Sequence, residues 1–490
     1  MRKLVVILGV PIDLLGVSET LDRIERMVQV GRASGKIHQV ATVNADFVVR
    51  AQFDPELRYL LQQADLLTAD GMPLVWGARW LGQSLEGRVA GADLVPLLAE
   101  RAAQKGLSIY FLGGELGVAA RAAGLLKQEH PELRIAGIYS PPFSPVLEME
   151  TSFLEDIRLA RPDILLVAFG NPKQEKWIGM YGSRVGVPVM IGVGGSLDFI
   201  AGHTRRAPEW MQRSGFEWLF RMLQEPRRLF RRYVIDLVIF GSSFLRQWFA
   251  MRLRPGYAQQ RCSAGLDILQ GKVILNLQGC LTMDTLNSIC PVAQEALEAS
   301  PNILVNLAQV TFLDSTAIGG LLELGKQARF SGGELALAGV PDRIYKTLAL
   351  LKLEKLFPIY PDADAYLAEW AFKTSAAPPD IASWTQSPSG GRVWSVVKGR
   401  RVLDAAAAPV LIEAGTYALA TSPFLICDLS ETVILTSAGL EALAQLRQMT
   451  VNLQGEFRMD NCSQDVLRVI DQAHFNRVLL PYSDFSLAAA

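Results

Sequence analysis

Asp70 stands before Gly71 at the end of an apolar stretch, and a carboxylate so placed can take the proton from an attacking hydroxyl. The plainer reading of Asp-Gly is a turn in which the carboxylate bonds a nearby amide. Upstream, Thr42 and Asn44 offer short polar groups that suit a hydroxylated ligand, or a helix cap. Downstream, Gly194 and Gly195 close the apolar run 187–193, and Arg205-Arg206 follow. Glycines at the carboxyl end of a strand let the backbone approach a phosphate, and guanidiniums then stabilise its charge. Arg88, Lys173 and Gln174 lie in two further polar turns, 88–93 and 170–177. Each alone is ordinary loop or ion-pairing chemistry. The set, confined to one half of the chain, points to an anionic ligand in a cleft.

The elements that must position these residues alternate. Apolar runs at 3–10, 40–43, 108–112, 164–169 and 187–193 read as buried strands, with helical stretches between them. That alternation predicts an α/β fold with a Rossmann-like parallel sheet. A dinucleotide-binding dehydrogenase would need Gly-x-Gly-x-x-Gly after the first strand, and Pro11-Ile12-Asp13 stands there instead. The four histidines, His38, His130, His203 and His474, are scattered without metal-ligand spacing. Asp362-Ala363-Asp364 is the sole Asp-x-Asp and reads as a helix start. No metal and no cofactor are therefore expected.

Five ordered motifs carry a family resemblance over roughly residues 1–240: Thr42-x-Asn44-Ala45, Asp70-Gly71, Arg88-Val89-Ala90-Gly91, Asn171-Pro172-Lys173-Gln174-Glu175-Lys176-Trp177, and the stretch 192–208. In these the chain resembles the WecG/TagA/CpsF glycosyltransferases of bacterial surface-polysaccharide synthesis. The resemblance implies inverting, metal-independent transfer of a sugar, often N-acetylmannosamine, from a UDP donor to a polyprenyl-diphosphate-linked acceptor. It also implies Asp70 as the base, with Thr42 and Asn44 holding substrate. Arg88, Lys173, Gln174 and Arg206, with the Gly194-Gly195 turn, are the candidates for the donor diphosphate. An alternative reading is a signalling scaffold whose transferase half only senses a nucleotide sugar.

Between 205 and 254 eleven arginines face four acids, although the whole chain carries a formal charge of −1. Aromatic residues are interleaved, and Pro226 should open a new helix there. Such helices suit an anionic membrane surface, or form a packed end with solvated arginines. No nucleic-acid-binding pattern accompanies the charge, so nucleic acid is not an expected partner. In the resembling family an appendage of this kind meets the membrane and brings arginines to the donor; Arg221, Arg228 and Arg231 occupy the matching places. The stretch 234–250 contains Asp236 and Arg246 and falls short of a span of about 20 apolar residues. The expected location is cytoplasmic, peripheral on the inner face of the cell membrane.

The length of 490 residues suggests about three domains. The five cysteines are dispersed, which fits a reduced compartment. We divide the chain into a transferase domain 1–205, an arginine-rich appendage 206–254, and two small α/β domains at 266–372 and 392–488. Linkers are read at 254–260 and from 374 to 391. The two small domains repeat one another weakly, in strand-strand-strand-helix order: 273–284 aligns with 393–404, and Leu313-Asp314-Ser315-Thr316 with Leu435-Thr436-Ser437-Ala438. Both resemble STAS domains, the fold of anti-sigma-factor antagonists. The resemblance makes Thr316 a candidate for phosphorylation by a partner kinase; the bland reading is that Asp314 and Ser315 cap a helix. In the second copy Ala438 stands at the acceptor place, so a docking or dimerising module is expected there rather than a switch.

Overall fold

The computed structural model describes residues 2–208, 210–211, 217–224, 226–252, 262–269, 272–375, 384–389, 392–473, 475 and 479. The chain opens on an antiparallel hairpin, β1 (Leu4–Ile7) and β2 (Val10–Asp13), rather than on the single strand expected at 3–10. Leu8 (φ 50°) and Gly9 (φ 84°) are both left-handed and reverse the chain within two residues. The hairpin stands apart from the main sheet, and all eight of its residues are buried.

The transferase half then runs α1 (Val17–Ser34), β3 (His38–Val43), α2 (Ala45–Ala51), α3 (Pro55–Gln63), β4 (Leu66–Ala69), α4 (Met72–Trp80), α5 (Gly91–Lys105), β5 (Ser108–Gly113), α6 (Val118–Glu129), β6 (Arg134–Tyr139), α7 (Phe153–Ala160), β7 (Ile164–Ala168), α8 (Lys173–Val185), β8 (Val189–Gly192) and α9 (Ser196–Ile200). Its sheet has the order β4-β3-β8-β7-β5-β6 with every pair parallel. Strands covered on both faces must be largely apolar, as β7 and β8 are throughout and β4 is apart from Thr68, whose hydroxyl donates to the Val89 carbonyl. Their carboxyl ends share one edge, where the motif loops emerge.

The arginine-rich tract forms α10 (Glu217–Gln224) and α11 (Pro226–Arg252), the latter starting at Pro226 as expected. Phe244 of α11 is buried in the core with Ile7, Leu74 and Val75. Gln247 donates to the Val6 carbonyl (2.7 Å) and accepts from the Leu8 amide (2.8 Å), tying the helix to the hairpin. The segment Phe230–Met251 is, at 22 residues, long and apolar enough to cross a membrane by length and composition, more than was expected of it. One face nevertheless packs on the transferase. The linker at 254–260 lies outside the described residues.

The first small domain is β9 (Ser263–Leu269), β10 (Lys272–Leu281), α12 (Met283–Ala299), β11 (Ile303–Leu313), α13 (Ser315–Phe330), β12 (Leu335–Ala338), α14 (Asp342–Leu350), β13 (Ile359–Tyr360) and α15 (Ala363–Ser375), its sheet ordered β13-β12-β11-β10-β9. The expected strand-strand-strand-helix order is corrected by α12: β10 and β11 are parallel, and parallel neighbours need a crossover. Asp362 accepts from the Ala365 amide at the start of α15, so it is a helix cap.

The second small domain is β14 (Trp384–Ser389), β15 (Arg392–Lys398), β16 (Val402–Leu403), α16 (Ala408–Thr421), β17 (Phe424–Asp428), β18 (Ile434–Leu435), α17 (Ser437–Asn452), β19 (Glu456–Asp460) and α18 (Gln464–Gln472). Its sheet, β14-β15-β17-β19, winds like that of the first copy. The segment 384–389, read as linker, is an edge strand paired antiparallel with β15; an edge position tolerates Pro388 because no ladder partner is needed on its outer side. The rest of that linker, 376–383 and 390–391, lies outside the described residues.

Candidate active site

Thr42 ends β3 and is buried, and its hydroxyl donates to the Gly192 carbonyl at 3.2 Å. That bond closes β3 onto β8 at the carboxyl edge. Asn44 begins α2 and accepts from the Phe47 amide at 3.2 Å, so its side chain caps the helix. Asp70 follows β4, half-buried, with its amide donating to the Val43 carbonyl at 2.7 Å. Gly71 has φ 147°, and a β-carbon there would lie 3.8 Å from that of Asn44. Thr42, Asn44 and Asp70 thus converge on adjacent strand ends.

The turn after β8 joins them. Gly194 is left-handed (φ 50°), and its amide donates to Gln174 Oε1 at 2.9 Å. The same oxygen accepts from the Gly170 amide at 3.2 Å. Gln174 therefore staples the turn after β7 to the turn after β8. Its amide nitrogen donates to Glu175 Oε1 at 2.7 Å, and both side chains are enclosed. A β-carbon at Gly192 would come within 2.5 Å of Gln174 Nε2, so only glycine admits the staple. Gly91 is equally constrained: a β-carbon there would meet Ser196 Oγ at 2.6 Å and Thr42 Oγ1 at 3.3 Å.

Arg88 and Arg206 meet across the mouth of this edge. Arg88 bonds Glu217 of α10 and lies 3.7 Å from Asp93. Arg206 bonds Asp93 at 2.5 Å and lies 3.8 Å from Glu217. Burial opposes the Arg206 charge, but Asp93, Glu217 and Asp70 together hold its pKa above the usual value. Asp70 and Arg206 consequently share one electrostatic neighbourhood. Lys173 extends over the Phe143 ring at 4.5 Å and the Phe169 ring at 5.1 Å, and desolvation pushes its pKa down.

Arg231 lies exposed on α11. Arg221 and Arg228 belong to α10 and α11, but their side chains lie outside the described residues. Sequence reasoning missed Asp93 and Glu217 as partners of the arginines, and Glu175 as an enclosed acid. Glu217 had a signal, being one of only four acids in the arginine-rich tract. Among the described residues no three His, Cys, Asp or Glu side chains group as a metal site.

Thr316 is far along the chain from this site. It lies in the first turn of α13, capped by Asp314, whose Oδ1 accepts from the Thr316 amide at 2.9 Å and the Ala317 amide at 2.8 Å. Thr316 is 2% exposed, and neither its hydroxyl nor that of Ser315 has a hydrogen-bond partner among the described residues.

Comparison with known proteins identifies the family of the transferase half. The model of the "Glycosyl transferase WecG/TagA/CpsF family" matches residues 5–254, and the STAS domain model matches 264–365. An N-acetylglucosaminyldiphosphoundecaprenol N-acetyl-beta-D-mannosaminyltransferase of Bacillus spizizenii is 32% identical over 189 residues, covering 39% of this chain and 72% of that protein. Among solved structures, a sulfate transporter family protein from Wolinella succinogenes is 19% identical, covering 22% of this chain and 93% of its own, with TM-score 0.21. The unphosphorylated anti-sigma factor antagonist SpoIIAA is likewise 19% identical, covering 24% and 100%, with TM-score 0.19. The chain is a glycosyltransferase that belongs to the WecG/TagA/CpsF family and carries a STAS domain behind its transferase half.

Proposed function

We propose that the chain moves N-acetylmannosamine from a UDP donor to a polyprenyl-diphosphate-linked N-acetylglucosamine, with inversion and without a divalent cation. The acceptor oxygen attacks the anomeric carbon while its proton passes to Asp70. The bond from that carbon to the phosphate oxygen breaks, and UDP leaves with the electron pair. Attack from the face opposite the departing UDP inverts the centre. Thr42 and Asn44 shape the floor on which the sugars rest.

The departing diphosphate needs fixed positive partners. Arg206 and Arg88 are already held at the mouth by Asp93 and Glu217, so they meet the charge without reorganising. Lys173 and Arg231, and by the family resemblance Arg221 and Arg228, are assigned to the same charge, and the Gly194-Gly195 turn, held by Gln174, lets backbone approach the phosphates. The single observation that carries this reading is the gathering of Thr42, Asn44 and Asp70 at neighbouring strand ends, beside the glycine turn that Gln174 holds.

The appendage would hold the enzyme peripherally on the inner face of the membrane, where its lipid-linked acceptor lies. Exposed Trp210, Phe230, Leu237, Val238 and Phe249 supply an apolar surface among arginines. The STAS-like domains would serve docking or regulation, with Thr316 open to a kinase only when its helix is exposed.

The test uses purified full-length protein with UDP-N-acetylmannosamine and polyprenyl-diphosphate N-acetylglucosamine, following UDP release and lipid product mass. Product should form at equal rate with and without EDTA. Absence of turnover across UDP-sugars would overturn the activity, and loss in EDTA restored by magnesium would overturn the metal-free mechanism.

A further inference from the structure

The two STAS-like domains present the same part of themselves to the transferase. In the first, α13 lies along β1, so closely that a β-carbon at Gly319 would come within 2.8 Å of Leu4 Cβ. Arg2, buried against Asp13 at 2.5 Å, also reaches Glu323 of α13 at 3.3 Å. Lys326 bonds Asp65 at 2.7 Å, and Arg329 donates to Gln63 at 3.2 Å. Val6, Tyr59 and Leu60 of the transferase are part of the same apolar cluster as the core of this domain.

The second domain repeats the arrangement with α17. Ala438, at the position equivalent to Thr316, is packed into the transferase cluster of Trp177, Ile178 and Tyr181 on α8. The neighbouring Ser437 amide donates to Glu56 of α3. Glu56 in turn binds Lys176 of α8 at 3.0 Å, and Lys176 also binds Asp54 at 2.8 Å. Tyr59 of α3 donates to Asp404 at 2.7 Å. Helix α3 is therefore gripped by both domains, and α3 packs on α8 with Leu60 against Gly179.

We propose that the STAS pair is an internal clamp whose partner is the chain's own transferase, and that it holds α3 and α8 in the geometry the donor site requires. Helix α8 begins with Lys173 and Gln174, so the line from the Ser437 amide through Glu56 and Lys176 ends two residues from Gln174, the glycine-turn staple. This last link rests on the reading of Gln174 as part of the donor site. The clamp explains the alanine at 438: a hydroxyl there would be buried in an apolar cluster with its bonding lost.

The experiment replaces Ser437 by proline in the full chain. Proline suits the first position of a helix, and Thr436 before it is already extended (φ −110°, ψ 170°), so the fold is kept while the amide donated to Glu56 is removed. Ala438→Glu is a second, steric opener, and Gln445→Glu, on the exposed side of α17, is the control. Hydrogen exchange is followed in peptides covering 55–63 and 173–185, and UDP affinity is measured alongside. Both openers should speed exchange in those peptides at least tenfold and weaken UDP at least fivefold, with Gln445→Glu unchanged. Exchange at the wild-type rate in both openers would overturn the clamp. Faster exchange with unchanged UDP affinity, while Gln174→Ala weakens UDP, would overturn the coupling and leave the donor-site reading standing. If Gln174→Ala also leaves UDP affinity unchanged, the donor-site reading itself fails and takes the coupling with it.

Discussion

Glu175 is fully enclosed, with Gln174 as its hydrogen-bond partner, and burial pushes its carboxyl from 4.5 up to about 8. At neutral pH it is a neutral acid whose partner, the Gln174 amide, holds the two glycine turns together. A folded pKa raised above the unfolded one means that the native state keeps the proton where the unfolded chain releases it. Its stability contribution is complete below about 4.5, falls as pH rises, and is fully lost above about 8. Glu175→Gln removes that dependence. The melting temperature of the variant relative to wild type should therefore rise by on the order of 5 °C between pH 5 and pH 8, read by calorimetry. A difference independent of pH would show that Glu175 is ionised in the native protein. Nothing in Lys-Gln-Glu-Lys marks this glutamate as enclosed, because the stretch reads as the solvated start of a helix. The position of Asp70, Thr42 and Asn44 at strand ends was legible, since each sits where an apolar run ends. Their carboxylate neighbours were not, because Asp93 and Glu217 reach the arginines from 113 and 129 residues away.

At the scale of the element, α11 has two faces with different tasks. Phe244 and Gln247 face the hairpin and α4, whereas Leu237 and Val238 are 72% and 62% exposed. Trp80 of α4, itself exposed, lies in tilted contact with the Phe244 and Trp248 rings and widens the apolar surface. A surface of this kind, flanked by arginines, sinks into an anionic interface. Leu237→Asp should leave folding intact, since that side chain is 72% exposed, and should reduce co-sedimentation with phosphatidylglycerol vesicles about tenfold, the loss of one buried apolar side chain. Unchanged sedimentation would contradict a membrane contact at this face. The break at Pro226 was readable from the chain because proline opens helices. The hairpin at Leu8-Gly9 was missed because a left-handed leucine is rare and carries no warning in its type. The crossover helix α12 was missed for another reason: the repeat shows which strands correspond, not whether they run parallel.

Across the whole molecule, the division into a transferase half and two smaller α/β units was legible, because each carries its own strand-turn signals. Their docking was not. Contacts such as Lys326 with Asp65, or Ser437 with Glu56, join residues 261 and 381 positions apart, and no local pattern announces them. The alanine at 438 was visible as a departure from the acceptor pattern, but its reason, a seat beside Trp177, appears only in the fold. The proposed transfer depends on one carboxylate above the others, Asp70 after β4, acting as the base at the carboxyl edge of the sheet. The most direct measurement compares Asp70→Asn with wild type for transfer to the lipid-linked acceptor and for UDP affinity. Loss of a general base predicts turnover reduced about 10²- to 10⁴-fold with UDP affinity within about threefold. Turnover near the wild-type rate in that variant would contradict it.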